Sequence, residues 1–321
     1  MNTLSTDTGR IGRPVQSQEE RTDRMTLESY SKPAAFERAQ AESPRWGMIW
    51  SMLVSLIGLT LWLYWPVLRG LWTQWSVDGN ASHGFLIPLI SAYVIWDRRE
   101  ALRRARVAPS WWGVGVTFVG LMMLWVGQVG AELFVQRLSF IVVLVGLVHL
   151  LAGRDVLRLW AFPLAFLVFM VPLPAIVLNA VAFPLQGFAA QTAASCLVAL
   201  NIPVLREGNV IALARTTLEV AEACSGIRSL MSLMALGTAY AYFTERLLWK
   251  RWIIIAAAIP VAIAANAFRV AGTGVLAHYF GEEAAQGFYH DFSGWLVFVV
   301  AFAMLLLVGR LVNRVGKEPA S

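Results

Sequence analysis

Three side chains in the second half of the chain could together perform acyl transfer. The thiol of Cys224 sits in Glu222-Ala223-Cys224-Ser225-Gly226-Ile227-Arg228-Ser229. The guanidinium of Arg269 sits in Asn266-Ala267-Phe268-Arg269, and the imidazole of His290 in His290-Asp291-Phe292-Ser293-Gly294-Trp295. Cysteine attacks a carbonyl as its thiolate, so its pKa has to be lowered. Cys224 directly precedes an apolar segment that reads as a helix, and a helix N-terminus carries roughly half a positive charge. A histidine can take the thiol proton and return it to the leaving amine. A fixed cation can hold the developing oxyanion or a substrate carboxylate, and arginine does so without losing its charge.

Each residue also has an ordinary explanation. A cysteine in an apolar stretch is usually a small hydrophobe, which is the reading adopted for Cys196. Cys224 lies between charged residues and a Ser-Gly step, which favours function. A Cys196–Cys224 disulfide is the minority alternative, open only if both face an oxidising compartment. Arg269 lies near a helix end, where an arginine can snorkel to the interface. His290 alone reads as an interfacial residue, and His278 in the last outer loop is a rival base. Glu222 is either an orienting carboxylate or a helix-start residue. Arg228, Asn266 and His83 are further secondary candidates. His149, inside an apolar span, is expected to make a packing hydrogen bond.

The elements that must position these residues are membrane helices. Of the 321 residues, 58% are hydrophobic and only 14% are charged, against about 25% charged in ordinary soluble domains. Soluble enzymes and disordered proteins are excluded as defaults. The formal charge of +6 does not point to nucleic acid, because the basic residues fall in short loops between apolar runs. The fold class is all-α and polytopic. About eight spans are expected, at 46–68, 83–96, 111–131, 138–153, 159–175, 226–244, 252–270 and 292–311. Residues 1–44 read as a disordered cytoplasmic tail, 45–313 as the transmembrane domain, and 314–321 as a short cytoplasmic tail. Within the domain, 176–223 reads as an interfacial insertion, with an amphipathic helix lying at the membrane surface. The Glu207-Gly208-Asn209 turn signal and the alternation at Leu218-Glu219-Val220 add a small hairpin before Cys224.

With both termini in the cytoplasm, most basic residues lie inside, as the positive-inside rule requires. Arg69, Arg137, Arg206, Arg215, Arg228 and Arg269 remain outside. Treating 176–200 as a ninth span would put the basic cluster at 246–251 outside, which is unfavourable. In the eight-span topology Cys224, Arg269 and His290 all reach the outer face, whereas independent placement would scatter them over two. The arginine-rich loop Arg98 to Arg106 reads as a topology determinant beside anionic lipid headgroups. Four scattered histidines and two distant cysteines have no metal-ligand spacing, so neither a metal nor a cofactor is expected.

At these motifs the sequence resembles the exosortase/archaeosortase family of membrane cysteine transpeptidases. A fourth matching stretch is His83-Gly84-Phe85-Leu86-Ile87-Pro88, ending in Trp96-Asp97-Arg98-Arg99. The four occur in the family's order and spread over residues 83 to 295. A histidine in the last motif resembles the bacterial exosortase branch. The resemblance implies Cys224 as nucleophile, His290 as acid/base and Arg269 as stabiliser of the tetrahedral intermediate. It also implies substrates: exported proteins whose C-terminal tail carries a Pro-containing motif, a transmembrane helix and a basic end, often linked to exopolysaccharide. The expected place is a bacterial inner membrane, with the site facing the periplasm. Some relatives carry a soluble C-terminal domain; none is expected here.

Three other readings compete. A transporter or polysaccharide-export component would use Arg269 and His290 along a translocation path. A histidine-based acyltransferase would need no cysteine, and a structural subunit would tolerate neutral changes at all three positions. The sorting motif, the acceptor nucleophile and the oligomeric state are not legible in the sequence.

Overall fold

The computed structural model describes residues 46–214, 217–220, 226–281 and 288–314. The expected tails at 1–44 and, apart from Arg314, at 314–321 lie outside the described residues. The chain divides into two units, Met1–Leu63 and Tyr64–Ser321. The described part of the first is the opening of helix α1 (Trp46–Val77). It exposes Val54, Ile57, Leu59, Leu61 and Trp62, as a helix surrounded by lipid would. Thr60 returns its hydroxyl to the Leu56 carbonyl at 2.7 Å, which satisfies it inside an apolar segment.

The second unit continues from Tyr64 through α2 (Leu86–Asp97), α3 (Arg99–Arg104), α4 (Trp112–Val129) and α5 (Leu133–Phe166). Then come α6 (Ala175–Ala199), strands β1 (Val204–Glu207), β2 (Val210–Leu213) and β3 (Thr217–Glu219), and α7 (Gly226–Thr244), α8 (Leu248–Phe280) and α9 (Phe288–Arg314). Six segments among the described residues are long and apolar enough to cross a membrane. They are Val54–Val77, Trp112–Val129, Leu133–Met170, Ala175–Ala199, Leu248–Phe280 and Gly294–Arg314. The protein is an all-α polytopic membrane protein.

Several expected spans change shape. Those at 138–153 and 159–175 meet one apolar run, Leu133–Met170, which is two helices on either side of Gly153 and ends before residue 175. That segment bends at Gly153, whose φ of 83° breaks the helical run. A side chain there would meet the Ala108 carbonyl, so glycine is required both for its backbone angle and for this close approach. The expected span at 83–96 becomes the 12-residue α2. At 1.5 Å per residue it is about 18 Å long, short of the ~30 Å hydrocarbon core. The segment read as a surface helix is a continuous 25-residue α6 that is itself long and apolar enough to cross. Helices α1 and α8 run well past the expected ends at 68 and 270. Hydropathy measures the bilayer's thickness, whereas a helix ends where its backbone finds a cap.

Packing explains the arrangement. α4 and α5 form an antiparallel pair. Gly113 faces Leu150, Gly120 faces Val143 and Gly127 faces Gln136, with backbones so close that a methyl group at Gly120 would stand 2.9 Å from the Val143 amide nitrogen. Lipid offers helices no hydrophobic incentive to associate, so close backbone contact through small residues does that work. The first core is aromatic: Tyr64, Trp75, Phe140, Phe166 and Met170 pack with Leu71 and Ile87. Within it Tyr64 Oη and Ser139 Oγ lie 3.0 Å apart, which pairs both hydroxyls. The remaining cores are built from small residues. Ala189, Ala190 and Ala193 of α6 meet Ala267, Val270 and Ala271 of α8. Ala258 and Ala262 of α8 meet Leu233 of α7 and Ala301 and Leu305 of α9.

The hairpin expected before Cys224 is present and gains a third strand. The sheet order is β1-β2-β3, all antiparallel, with Glu207 opposite Val210 across the Gly208 turn. Gly208 adopts φ 62°, as the turn signal requires. Ile211 and Leu213 of β2 and Val220 after β3 bury against Ala267, Val270 and Ala271 of α8.

Candidate functional site

The four sequence motifs meet in pairs. The first pair joins the loop between α1 and α2 to the start of α7. Arg228, on the first turn of α7, donates from Nε to Asn80 Oδ1 at 3.4 Å. Its guanidinium also lies over Gly79, where a methyl group would stand only 2.5 Å from Nη2. The loop is held by its own turn chemistry: the Asn80 amide donates to Asp78 Oδ1 at 2.9 Å, and Ser82 Oγ donates to the Gly79 carbonyl at 2.9 Å. His83 then enters a short 3-10 turn, Ser82–Phe85.

Gly84 of the same motif has a clear steric reason. The Trp75 indole lies where a Cβ would be, and its Nε1 donates to the Met170 carbonyl at 3.0 Å. Phe85 closes the other side, edge-on to Trp72 and Trp75. The ring is thus locked, and the backbone passes over it only if residue 84 has no side chain.

His83 is half-buried and lines a cavity of about 30 Å³, shared with Asp78, Asn80, Leu178 of α6 and Met231 of α7. Its Nδ1 is buried and makes no hydrogen bond. Burial holds the imidazole below its ordinary value of 6.5, partly offset by the Phe169 and Asn80 backbone. His83 is therefore a neutral base at physiological pH. The secondary candidate His83 thus stands beside the helix whose first residues follow Cys224. Sequence reasoning missed Asp78 and Asn80, the residues that shape this loop; the Asp78-Gly79-Asn80 turn signature was the available clue.

The second pair joins α8 to α9. The Arg269 guanidinium lies next to Gly294, where a methyl group would be 3.6 Å from Nη1. Gly294 is one helical turn beyond His290, and the backbone of both belongs to α9. The His290 side chain lies outside the described residues. Asn266, one turn before Arg269, is 6% exposed, and its Oδ1 is buried without a hydrogen-bond partner among the described residues. Such an orphan acceptor is costly unless a donor reaches it. His278 lies nine residues beyond Arg269 on the same helix, about 180° around its axis. Its ring packs edge-on against Tyr279, with centroids 4.9 Å apart.

Cys224 and Glu222 lie outside the described residues. The chain on both sides of them is placed. Val220 packs in the same cluster as Ala267 and Val270, the neighbours of Arg269, and its amide donates to the Asn209 carbonyl at 3.0 Å. Gly226 opens α7. Cys196 is a free thiol and is exposed on α6, not buried as expected for a small hydrophobe. The helix turns that residue toward lipid, which an apolar thiol tolerates as readily as a core. Among the described residues, His149 Nδ1 is buried without a hydrogen-bond partner. No cluster of three or more metal-ligating side chains occurs among the described residues.

No curated protein and no solved structure matches the chain. The transmembrane exosortase family matches residues 75–307, a stretch that contains all four motifs. The chain belongs to the transmembrane exosortase family.

Proposed function

We propose that this protein is a membrane cysteine transpeptidase that cleaves C-terminal sorting tails of exported proteins through a thioester at Cys224. Membership of the exosortase family supports a membrane transpeptidase or protease role in general. The observation that carries the finer reading is the pairing of Arg269 with the first turns of α9, beside the cluster that anchors Val220. Four residues of extended chain reach at most about 14 Å, so Cys224 stays within range of that cluster.

In this mechanism His290 takes the Cys224 proton and the thiolate attacks the scissile carbonyl. Arg269 stabilises the oxyanion. The tetrahedral intermediate collapses as His290 returns its proton to the leaving amine, which departs with the tail. An acceptor nucleophile then attacks the thioester and releases the enzyme. His290 is preferred to His278 as base because His278 lies on the far side of α8 from Arg269. Asn266 Oδ1 is suited to accept a backbone amide of the substrate. Glu222 is assigned to orienting the base or the start of α7, and His83 to supporting the Arg228 end of the site.

The substrate's own transmembrane helix would bring its cleavage motif to the periplasmic interface of a bacterial inner membrane, the depth assigned to Cys224. The test is an exported reporter ending in a Pro-containing motif, a transmembrane helix and a basic tail, drawn from the same genome. Wild-type protein should shorten the reporter, and Cys224→Ala should slow that by at least about 10³-fold. Equal shortening by the variant would remove Cys224 as nucleophile.

A further inference from the structure

A groove of about 730 Å³ lies along the last turns of α1 and the first turns of α5, away from the sequence motifs. Two cations line it. Arg137 is only 6% exposed, yet among the described residues it makes no hydrogen bond or ion pair. Arg69 faces the same groove from α1 and is exposed. Thr73 and Gln74 add polar groups, and Trp65 and Leu133 supply apolar walls. Asp78 is the one carboxylate on the rim, and its Oδ1 already accepts the Asn80 amide.

Two guanidinium groups, one of them buried, share the groove with one carboxylate, so a net positive charge remains at a depth where it is expensive. An anion seated between the two relieves both, and arginine's fork matches a phosphate with two parallel hydrogen bonds. The depth identifies the source. Arg69 lies about 12 Å before the end of α1 and Arg137 about 6 Å after the start of α5, at 1.5 Å per residue. Both therefore sit near the end of a membrane-crossing segment, where lipid headgroups lie. Trp65, one turn deeper than Arg69 and 63% exposed, opens the groove sideways toward the hydrocarbon, while Leu133 walls its outer end. We propose that this groove binds the phosphate headgroup of an anionic phospholipid, with its acyl chains running down past Trp65.

The test uses the full-length protein in detergent, stripped of lipid and titrated with phosphatidylglycerol, diacylglycerol of the same chains, or inorganic phosphate. Bound lipid is read by native mass spectrometry and by the shift in Tm. Wild type should retain phosphatidylglycerol about tenfold more tightly than diacylglycerol, and Arg137→Gln should erase most of that preference. If Arg137→Gln does not fold, Arg69→Gln, at an exposed position, should still reduce the preference severalfold. Equal retention by wild type and Arg69→Gln would overturn the proposal. Stabilisation by inorganic phosphate alone, equal to that by the lipid, would reassign the groove to a soluble anion. Unchanged lipid binding with lost reporter cleavage would reassign it to the peptide substrate. Because the lipid readout needs no cleavage, it stands or falls separately from the catalytic assignment.

Discussion

The two ends of α7 use the same residue types in opposite ways. At the Tyr242 end, arginines are committed to packing. Arg98 and Arg251 lie on the Tyr242 ring at 5.1 and 5.0 Å from its centroid, and Phe162 stacks on it at 3.6 Å. Arg251 also donates from Nε to the Glu245 carbonyl at 2.8 Å, capping the end of α7. At the Arg228 end no arginine rests on a ring among the described contacts. Arg228 holds a loop through a single 3.4 Å bond, and Arg269 is aimed at the start of α9. A cation buried in aromatic contacts is spent on stability. Arg228 and Arg269 instead meet a loop and a neighbouring helix end. Under the proposed function, the Tyr242 end is structural and the Arg228 end is where chemistry takes place.

The largest test of that contrast is Arg269→Gln. It should slow reporter cleavage by about 10²–10³-fold, the usual cost of one oxyanion donor, while Tm stays near wild type. A fall in Tm matching the fall in rate would make Arg269 structural and erase the distinction. Gly84→Ala comes next. The added methyl meets the Trp75 indole, so about 1–3 kcal/mol of stability should be lost, with lower Tm and reduced expression.

Tyr242→Leu probes the other end. It removes two cation–ring contacts worth about 0.5–1 kcal/mol each at exposed sites. The melting temperature should drop while the cleavage rate of the folded protein holds. A large rate effect with unchanged Tm would show that the Tyr242 end also takes part in turnover.

The smallest expected effect concerns His83. Its folded value lies below 6.5 because of burial. The unfolded chain therefore binds a proton that the folded loop resists as pH drops below 6.5. The stability contributed by neutral His83 is present at neutral pH and lost on acidification. Wild-type Tm should fall between about pH 7 and about pH 5.5 more steeply than that of His83→Gln. Parallel curves would mean that the imidazole is more accessible than its cavity implies.

The candidate residues were legible because they are chemically unusual for their surroundings. A thiol, a guanidinium and an imidazole stand out in an apolar chain, and counting spans led to the expectation that they share one face; Cys224 and the His290 side chain lie outside the described residues. The hairpin was legible because Gly208 needs a positive φ and Leu218-Glu219-Val220 alternates. The roles of Arg228 and Arg137 were not legible. Arg228 read as a secondary site candidate and Arg137 as a leftover outer charge, since nothing local in the sequence tells a cation bound to Asn80 from one buried in a groove. The glycine series Gly113, Gly120 and Gly127 was legible in principle, because seven-residue spacing keeps one helix face free of side chains. It gains meaning only once α5 is laid against it.

Composition and apolar run lengths therefore determined the solvent and the fold class. These depend on transfer energies of single residues and short windows, which are additive along the chain. Tertiary structure alone decided where the long helix bends, how far α1 and α8 extend, and which arginines are spent. Those outcomes depend on close approach between segments far apart in sequence: the Ala108 carbonyl at Gly153, the Trp75 ring at Gly84, and the Arg269 guanidinium at Gly294. Steric exclusion at that range is a property of the partner as much as of the residue, and no window of sequence contains both.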